Sequence, residues 1–182
     1  MTTMLQTTET SQSQLVPFSS IHLNEGSQSR VRVRPNIVND YAAAMKLQLE
    51  EDAWRFPPVI LFQEDDVYWI GDGFHRVFAA MKLNLTEIAA QVRIGTQRDA
   101  LLHSISANTD HGLPRTNADK RRAVQILLND PEWKQWSDRE IGRRCQVVHG
   151  LVSKLRTNLS GFGSLSSYTF LLDLALARRS CP

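Results

Sequence analysis

The stretch that decides the fold is IGDGFHRVFAA, residues 70–80. A β-rich run, VYWI at 67–70, leads into two glycines separated by one aspartate, and apolar residues at helical spacing follow from Phe74. This order predicts a strand, a glycine-rich turn and a helix. Free backbone N–H groups, the positive end of the helix dipole and a first-turn arginine all attract an anion. We therefore predict a phosphate-binding site made of Gly71, Gly73, His75 and Arg76. The alternative is a turn made by the glycines, with both polar side chains solvated.

The residues around this stretch predict alternating strands and helices. VILF at 59–62 and VYWI at 67–70 flank an acidic triplet, Glu64 to Asp66, which is typical of a β-hairpin. Pro35 ends an extended segment, since the residue before a proline avoids the helical region. The other predicted elements are extended segments at 19–23 and 30–33, helices at 36–50 and 74–83, a strand at 87–94, and a helix from Thr96 to about Asn108.

The second half of the chain predicts helices only. A helix begins at Thr116 or Asn117 and runs for about a dozen residues before a proline stops it. Ser137 with Glu140 forms a capping box at the start of the next helix, which ends near Cys145. A further short helix is predicted at 149–155. Two short helices joined by a tight turn predict a helix-turn-helix, although Gln146 stands where many such turns have glycine.

Composition limits the class of protein. The chain has 182 residues, of which 42% are hydrophobic and 22% charged, as in an ordinary globular protein. It contains no run of 18 apolar residues, so we expect no membrane contact. Its two cysteines are too few for a disulfide framework, and the Ser/Thr/Gln-rich start has no basic or apolar region typical of a secretory signal. We expect a cytoplasmic protein, associated with a nucleoid or plasmid, with a disordered lead-in at 1–16.

The charge is distributed unevenly. Residues 36–99 carry six basic and ten acidic residues, a net charge of −4, whereas residues 112–158 carry ten basic and five acidic residues, a net charge of +5. A basic second half favours a polyanionic partner, and a helix-turn-helix favours duplex DNA. The alternative is that these charges only keep the helices solvated. The predicted DNA-binding residues are Arg143, Arg144, His149, Ser153, Lys154 and Arg156.

These motifs, taken in order, resemble a known family. Gly73, Arg76 and Ala79 match a G-x-x-R-x-x-A helix, and LNLTEIAAQV at 83–92 looks like the strand that follows it in ParB-like proteins of plasmid and chromosome partition. The resemblance covers residues 17–158. It implies an α+β fold: a ParB/sulfiredoxin-like N-terminal domain at 17–111 and an all-helical helix-turn-helix domain at 112–158. The tail at 159–182 matches no predicted element.

The resemblance also implies a nucleotide pocket. The turn is similar to the sulfiredoxin signature G-C-H-R, which binds ATP, but Phe74 replaces its cysteine, so sulfinic acid repair has no nucleophile. The second nucleotide motif of ParB, glutamate-asparagine-x-x-arginine, is matched at Asn108, while Ala107 replaces the glutamate and Arg115 follows at a longer spacing. We expect CTP, or ATP, with Mg²⁺ in this pocket, and weak or no hydrolysis.

Two functions follow from the sequence. The first is a ParB-like protein that binds double-stranded DNA in partition or transcriptional regulation and acts by binding rather than turnover; the sequence leaves a homodimer open. The second is a ParB-like metal-dependent nuclease, in which Asp72, His75 or the Asp65–Asp66 pair organises a divalent ion. The five histidines show no metal-ligand spacing such as H-x-x-x-H, and no cysteine pairs with them, so we expect no transition-metal site.

Overall fold

The computed structural model describes residues 13–23, 33–107 and 114–161. Backbone packing divides the chain into two units, Met1–Arg122 and Ala123–Pro182. The predicted domain boundary between residues 111 and 112 stays a prediction, because residues 108–113 lie outside the described part. The N-terminal unit is mixed α and β and the described C-terminal unit is helical, so the predicted α+β class is confirmed.

A five-stranded mixed sheet forms the centre of the N-terminal unit. Its strands are β1 (Ser13–Pro17), β2 (Ile21–His22), β3 (Val59–Glu64), β4 (Val67–Asp72) and β5 (Glu87–Ile94). The strand order is β1-β5-β3-β4-β2. The β3–β4 and β1–β5 pairs are antiparallel, and the β3–β5 and β2–β4 pairs are parallel. The predicted hairpin is therefore present, and its turn is made by Asp65 and Asp66, with φ of 54° at Asp65.

Three helices cover this sheet. They are α1 (Pro35–Glu50), α2 (Phe74–Lys82) and α3 (Gln97–Ser106). Helices α1 and α2 share one apolar core with the sheet, and its buried residues are Val16, Ile21, Ala42, Met45, Val59, Leu61, Ile70, Val77, Ala79, Ala80, Ile88 and Ala90. Since strand side chains alternate between faces, Phe62 and Gly71 lie on the opposite face, where His103 of α3 packs against both. The sheet thus lies between two helical layers.

Two predicted boundaries differ from the structure. Strand β1 begins at Ser13, inside the lead-in predicted at 1–16, because Leu15 and Val16 pair with β5 and Val16 is buried in the core. The Ser/Gln-rich composition of this segment concealed a short edge strand. The extended segment predicted at 19–23 contains a 3₁₀ turn, Phe18–Ser20, before β2. The one predicted at 30–33 lies largely outside the described residues.

The C-terminal unit contains the rest of the helices. Helix α4 (Asn117–Asn129) crosses the division between the units and is followed by a 3₁₀ turn at Trp133–Gln135, α5 (Asp138–Cys145) and α6 (His149–Gly161). Helix α6 extends six residues beyond its predicted end at residue 155. The buried apolar residues of this unit are Ala123, Val124, Leu127, Leu128, Trp133, Ile141, Cys145 and Val152.

A left-handed residue connects α5 to α6. Gln146 has φ 56° and ψ 49°, and its backbone N–H donates to the carbonyl oxygens of Arg143 and Gly142. Val147 N–H then donates to Gly142 O at 2.9 Å. The backbone therefore makes the turn that glycine usually makes, although a residue with a Cβ pays a steric penalty in this region.

We expect Gln146→Gly to raise the free energy of unfolding by about 1 kcal/mol, because glycine adopts the left-handed conformation without that penalty. Urea denaturation followed by circular dichroism measures the change. Gln146→Ala is the matched control, since it removes the same side chain but keeps the Cβ, and it should not stabilise the protein. Equal stability of the two variants would contradict this explanation of the turn.

Candidate nucleic-acid interface and glycine-rich turn

The predicted phosphate turn has the strand-turn-helix geometry expected from the sequence. Gly73 is the N-cap of α2 and has φ 100°, which is a left-handed conformation. A Cβ at Gly73 would lie 2.6 Å from Val59 Cγ1. A Cβ at Gly71 would lie 2.7 Å from the Phe62 ring. Both glycines are therefore required by internal packing, whether or not a ligand binds.

Arg76 is held by groups of the protein itself. Its Nη1 donates to Pro57 O at 2.5 Å and to Pro58 O at 3.0 Å, while Nη2 donates to Asp72 Oδ2 at 2.7 Å. The Arg76 side chain is 13% exposed. These bonds connect the first turn of α2 to the segment that leads into β3, so this guanidinium has a structural role in addition to any role in anion binding.

His75 and Asn108 complete the predicted phosphate set. His75 is buried, and its Nε2 accepts a hydrogen bond from the backbone N–H of Arg34 at 3.2 Å, which fixes the start of α1 beside the turn. Its ring therefore faces the interior rather than solvent. Asn108 lies outside the described residues. The structure thus brings Gly71, Gly73, His75 and Arg76 together and leaves the second nucleotide motif undescribed.

His103 lies behind this turn and was not singled out in the sequence. Its ring packs 5.5 Å from that of Phe62, and Arg93 Nη1 lies 3.4 Å from its Nδ1. Its Nε2 is buried and has no hydrogen-bond partner among the described residues. Burial, and then the positive charge of Arg93, lower the pKa of His103, while Asp72 acts in the opposite direction. A lone histidine on a helix carries no sequence signal of such an environment.

The α5–α6 pair forms a compact unit. Ser137 Oγ accepts from Glu140 N–H at 3.2 Å and so caps α5, as predicted. The Glu140 carboxylate binds arginines, so the other half of the predicted capping box is replaced by ion pairs. A Cβ at Gly142 would lie 2.9 Å from Val147 O, so α5 approaches the turn closely because this residue is glycine.

One face of α6 is exposed over two turns. The exposed residues at its start follow the i, i+4 spacing that gathers side chains on one helical face: His149, Gly150, Ser153, Lys154 and Thr157. The described part of α6 contains no acidic residue. Of the predicted DNA-binding residues, His149, Ser153 and Lys154 therefore share one accessible face, as expected.

The two arginines that end α5 share one carboxylate. Arg143 Nη2 and Arg144 Nε both donate to Glu140 Oε1 at 2.7 Å. Hydrogen bonds from Arg143 and then Arg144 lower the pKa of Glu140. The Arg144 guanidinium also lies 4.3 Å from the centre of the Trp136 ring, a cation–π distance. Arg143 is 72% exposed and Arg144 30% exposed, so Arg143 is the more accessible of the two.

Arg156 differs from the other predicted DNA-binding residues. Its Nε donates to Asp138 Oδ1 at 2.8 Å, Nη2 to Trp136 O at 2.8 Å and Nη1 to Lys134 O at 2.5 Å. The guanidinium therefore ties α6 to the start of α5. No sequence signal distinguishes this role from phosphate binding, because Asp138 and Arg156 are 18 residues apart.

The acidic residues of the alternative nuclease hypothesis do not lie together in a cluster. Asp72 pairs with Arg76, and Asp65 and Asp66 make the hairpin turn. Within residues 13–23, 33–107 and 114–161, no group of three or more His, Cys, Asp or Glu is placed to hold a metal ion. The nuclease hypothesis therefore stays a prediction without a supporting contact.

None of the helices in the described part of the chain has the length and apolar character needed to span a membrane.

Comparison with solved structures identifies the fold. The chain is similar to the C-terminally truncated chromosome-partitioning protein ParB from Caulobacter crescentus, crystallised in complex with the centromeric parS site. The TM-score is 0.53 at 17% sequence identity, over 85% of this chain and 74% of ParB. The protein therefore has a ParB-like fold, which confirms the predicted resemblance at the level of the fold.

Two curated proteins match part of the sequence. The "Streptomycin biosynthesis operon possible regulatory protein" of Streptomyces griseus is 33% identical over 87 residues, which is 47% of this chain and 24% of that protein. The "Transcriptional regulator NovG" of Streptomyces niveus is 30% identical over 111 residues, 60% of this chain and 33% of that protein. The chain thus matches a quarter to a third of the length of these relatives. No family model matches the chain.

We expect the melting temperature to fall as the pH decreases from 7 to 5.5, partly because of His103. Its pKa is lowered from 6.5 in the folded state, so the unfolded chain binds the proton more readily and stability is lost as the pH falls through 6.5. His103→Phe keeps an aromatic ring beside Phe62 and removes the titration. Thermal unfolding across this pH range should show a smaller decrease for the variant. An unchanged decrease would contradict this role of His103.

Proposed function

We propose that this protein is a ParB-like DNA-binding regulator in which α5, the turn and α6 form a helix-turn-helix that docks α6 in the major groove. In this motif the second helix enters the groove and its N-terminal residues contact base edges, while the first helix crosses the DNA backbone. The proposal requires a fixed angle between the helices and an accessible face on the second helix.

The observation that carries the proposal is the exposed face of α6, a helix that Arg156 holds against the start of α5. Lys154 and Ser153 are exposed on that face, and Arg143 is exposed at the end of α5. Lysine and arginine bind phosphates, and serine can bond to phosphates or base edges. Arg156 connects the two helices, because its guanidinium donates to one carboxylate oxygen and two backbone carbonyl oxygens at the start of α5. In this proposal Arg156 positions α6, and Lys154 contacts DNA.

The relatives support a regulatory role. Both curated proteins are named as regulators, one with the word "possible", and the ParB structure with the shared fold was crystallised with its DNA site. The curated names favour transcriptional regulation over partition. A homodimer would place two copies of α6 on two half-sites one helical turn apart. Sedimentation of the protein with a bound duplex gives the stoichiometry.

We further propose that the Gly71–Arg76 turn binds the phosphates of a nucleotide. The nucleotide is CTP with Mg²⁺ if the pocket resembles that of ParB, and ATP if it resembles that of sulfiredoxin. The N-terminal N–H groups of α2 and the Arg76 guanidinium would hold the phosphates. Asp72 is already bound to Arg76, so its charge opposes a second anion there. Asp72 therefore limits the affinity of this turn for phosphate.

The DNA-binding proposal predicts different effects for two basic residues of α6. Lys154→Ala should weaken binding of duplex DNA and reduce the slope of log K against log salt by about one, because one phosphate contact is lost. Its melting temperature should be unchanged, since Lys154 is exposed. Arg156→Ala should lower the free energy of unfolding by about 1 to 3 kcal/mol, because it removes three hydrogen bonds to internal acceptors.

Fluorescence anisotropy at several salt concentrations and thermal unfolding measure the two effects. Lys134→Ala is a control for Lys154, because it removes one positive charge outside α6. Lys154→Ala with wild-type affinity and salt slope would overturn this assignment of the DNA surface. Wild-type protein that binds no duplex at low salt would overturn the proposed function.

The nucleotide proposal predicts that substitutions of Asp72 and Arg76 change nucleotide affinity in opposite directions. Asp72→Asn should tighten CTP or ATP binding several-fold, because the amide keeps a hydrogen bond to Arg76 without the repulsive charge. Arg76→Ala should weaken nucleotide binding by about 1.5 to 3 kcal/mol, the usual worth of a hydrogen bond to a charged group. It should also lower the melting temperature, since the bonds to Pro57 and Pro58 are lost. Calorimetry with each nucleotide and Mg²⁺ tests both, and no binding by folded wild-type protein would leave the turn structural.

A further inference from the structure

Gly150 lies in the first turn of α6, and the fold itself gives no reason for a glycine there. A Cβ at this position would meet no atom within 4 Å, and its φ is not left-handed. Alanine is the better helix former at such a position, because glycine loses more backbone entropy when a helix forms. The glycine therefore costs stability and gains nothing from internal packing.

The other glycines with described surroundings behave differently. A Cβ at Gly71, Gly73, Gly95 or Gly142 would meet another atom at 2.6 to 2.9 Å. The helix-turn-helix candidate contains one glycine of each kind. Gly142 is required by the close approach of Val147 O, whereas Gly150 is not required by any neighbour. An open glycine on the exposed face of α6 leaves room for a group from outside the protein to approach the backbone closely.

Val148 lies directly before α6 and is the exposed apolar neighbour of this glycine. Its side chain is 76% exposed, and its carbonyl oxygen accepts from Leu151 N–H at 3.0 Å, so its backbone is fixed to the first turn. Single exposed apolar residues are common on protein surfaces. This one projects from a rigid position beside His149 and Gly150, where the proposed docking brings base edges nearest.

We infer that Val148 contacts the 5-methyl group of a thymine in the major groove, and that Gly150 leaves the space for a base edge to lie against α6. The inference rests on the proposed DNA-binding function and adds a base preference to it. Thymine carries the methyl group that apolar side chains contact in the major groove. Val148 and Gly150 are then specificity-determining residues, while Lys154 contributes affinity for any sequence.

The first arm of the experiment uses two alanine substitutions in α6. A preferred duplex is selected from a random pool with wild-type protein, and affinities are measured for this duplex and for an unrelated one. Gly150→Ala should raise the melting temperature by about 1 to 4 °C and weaken binding of the selected duplex at least tenfold. Asn158→Ala, exposed two turns later in the same helix, should leave that affinity within twofold. Equal or tighter binding of the selected duplex by Gly150→Ala would overturn the inference.

The second arm removes each side of the proposed contact in turn, first the thymine methyl group and then the Val148 side chain. Replacing the contacted thymine by uracil removes only the 5-methyl group and should weaken binding about fourfold, and Val148→Ala should do the same. The two changes together should weaken binding no more than either alone, because they remove one contact. Affinity for the unrelated duplex should be unchanged by Val148→Ala.

The outcomes separate this inference from the proposed function. Wild-type protein that binds no duplex overturns both. Two results would overturn only the roles of Val148 and Gly150, provided that wild-type protein binds its selected duplex. The first is that no thymine is sensitive to replacement by uracil. The second is that the losses of affinity from uracil and from Val148→Ala multiply when the two changes are combined.

Discussion

The reversal of the chain at Gly73 is the constraint on which the N-terminal unit depends. Strand β4 ends and α2 begins within one residue, whose backbone is left-handed and lies against Val59 of the adjacent strand. This reversal directs the buried face of α2, with Val77 and Ala80, onto the sheet. It also brings Arg76 to the carbonyl groups of Pro57 and Pro58, so the chain enters β3 at Val59 in a fixed position. Gly73 and Arg76, which make the turn resemble a phosphate-binding site, are thus partly explained by these packing requirements.

The arginines of this protein serve two purposes that composition cannot separate. Arg76 and Arg156 each bind two backbone carbonyls and one carboxylate within the fold. Lys154 is exposed, and none of the described residues forms a hydrogen bond or ion pair with its side chain. The planar guanidinium with several fixed donors suits the internal role, and the flexible ammonium of lysine suits a contact with solvent or phosphate. The count of ten basic residues over residues 112–158 thus overstates the number of cations free to meet a polyanion.

The sequence predicted most elements because local signals defined them. The hairpin turn, the strand at 87–94, the Thr96 cap and the Ser137 cap follow from turn chemistry, alternation and capping, which act over a few residues. Strand β1 was missed because an edge strand of five residues is too short to show alternation, follows Ser/Thr/Gln-rich sequence and is defined by its pairing with β5. The exposure of His149, Ser153 and Lys154 followed from helical spacing, whereas the internal role of Arg156 and the burial of His103 depend on contacts distant in sequence.

In the proposed function, the shared carboxylate of Glu140 affects how the protein would search a long duplex. A phosphate group that approaches Arg143 or Arg144 must compete with a carboxylate already bound to both guanidiniums. Each passing phosphate would gain less than it gains from an arginine without a carboxylate partner, so transient contacts would be brief and the protein would leave arbitrary sequence quickly. Long residence would then require additional contacts from α6 itself. If the protein binds DNA as proposed, an acidic residue within the basic surface would thus shorten the time spent on sites that α6 does not fit.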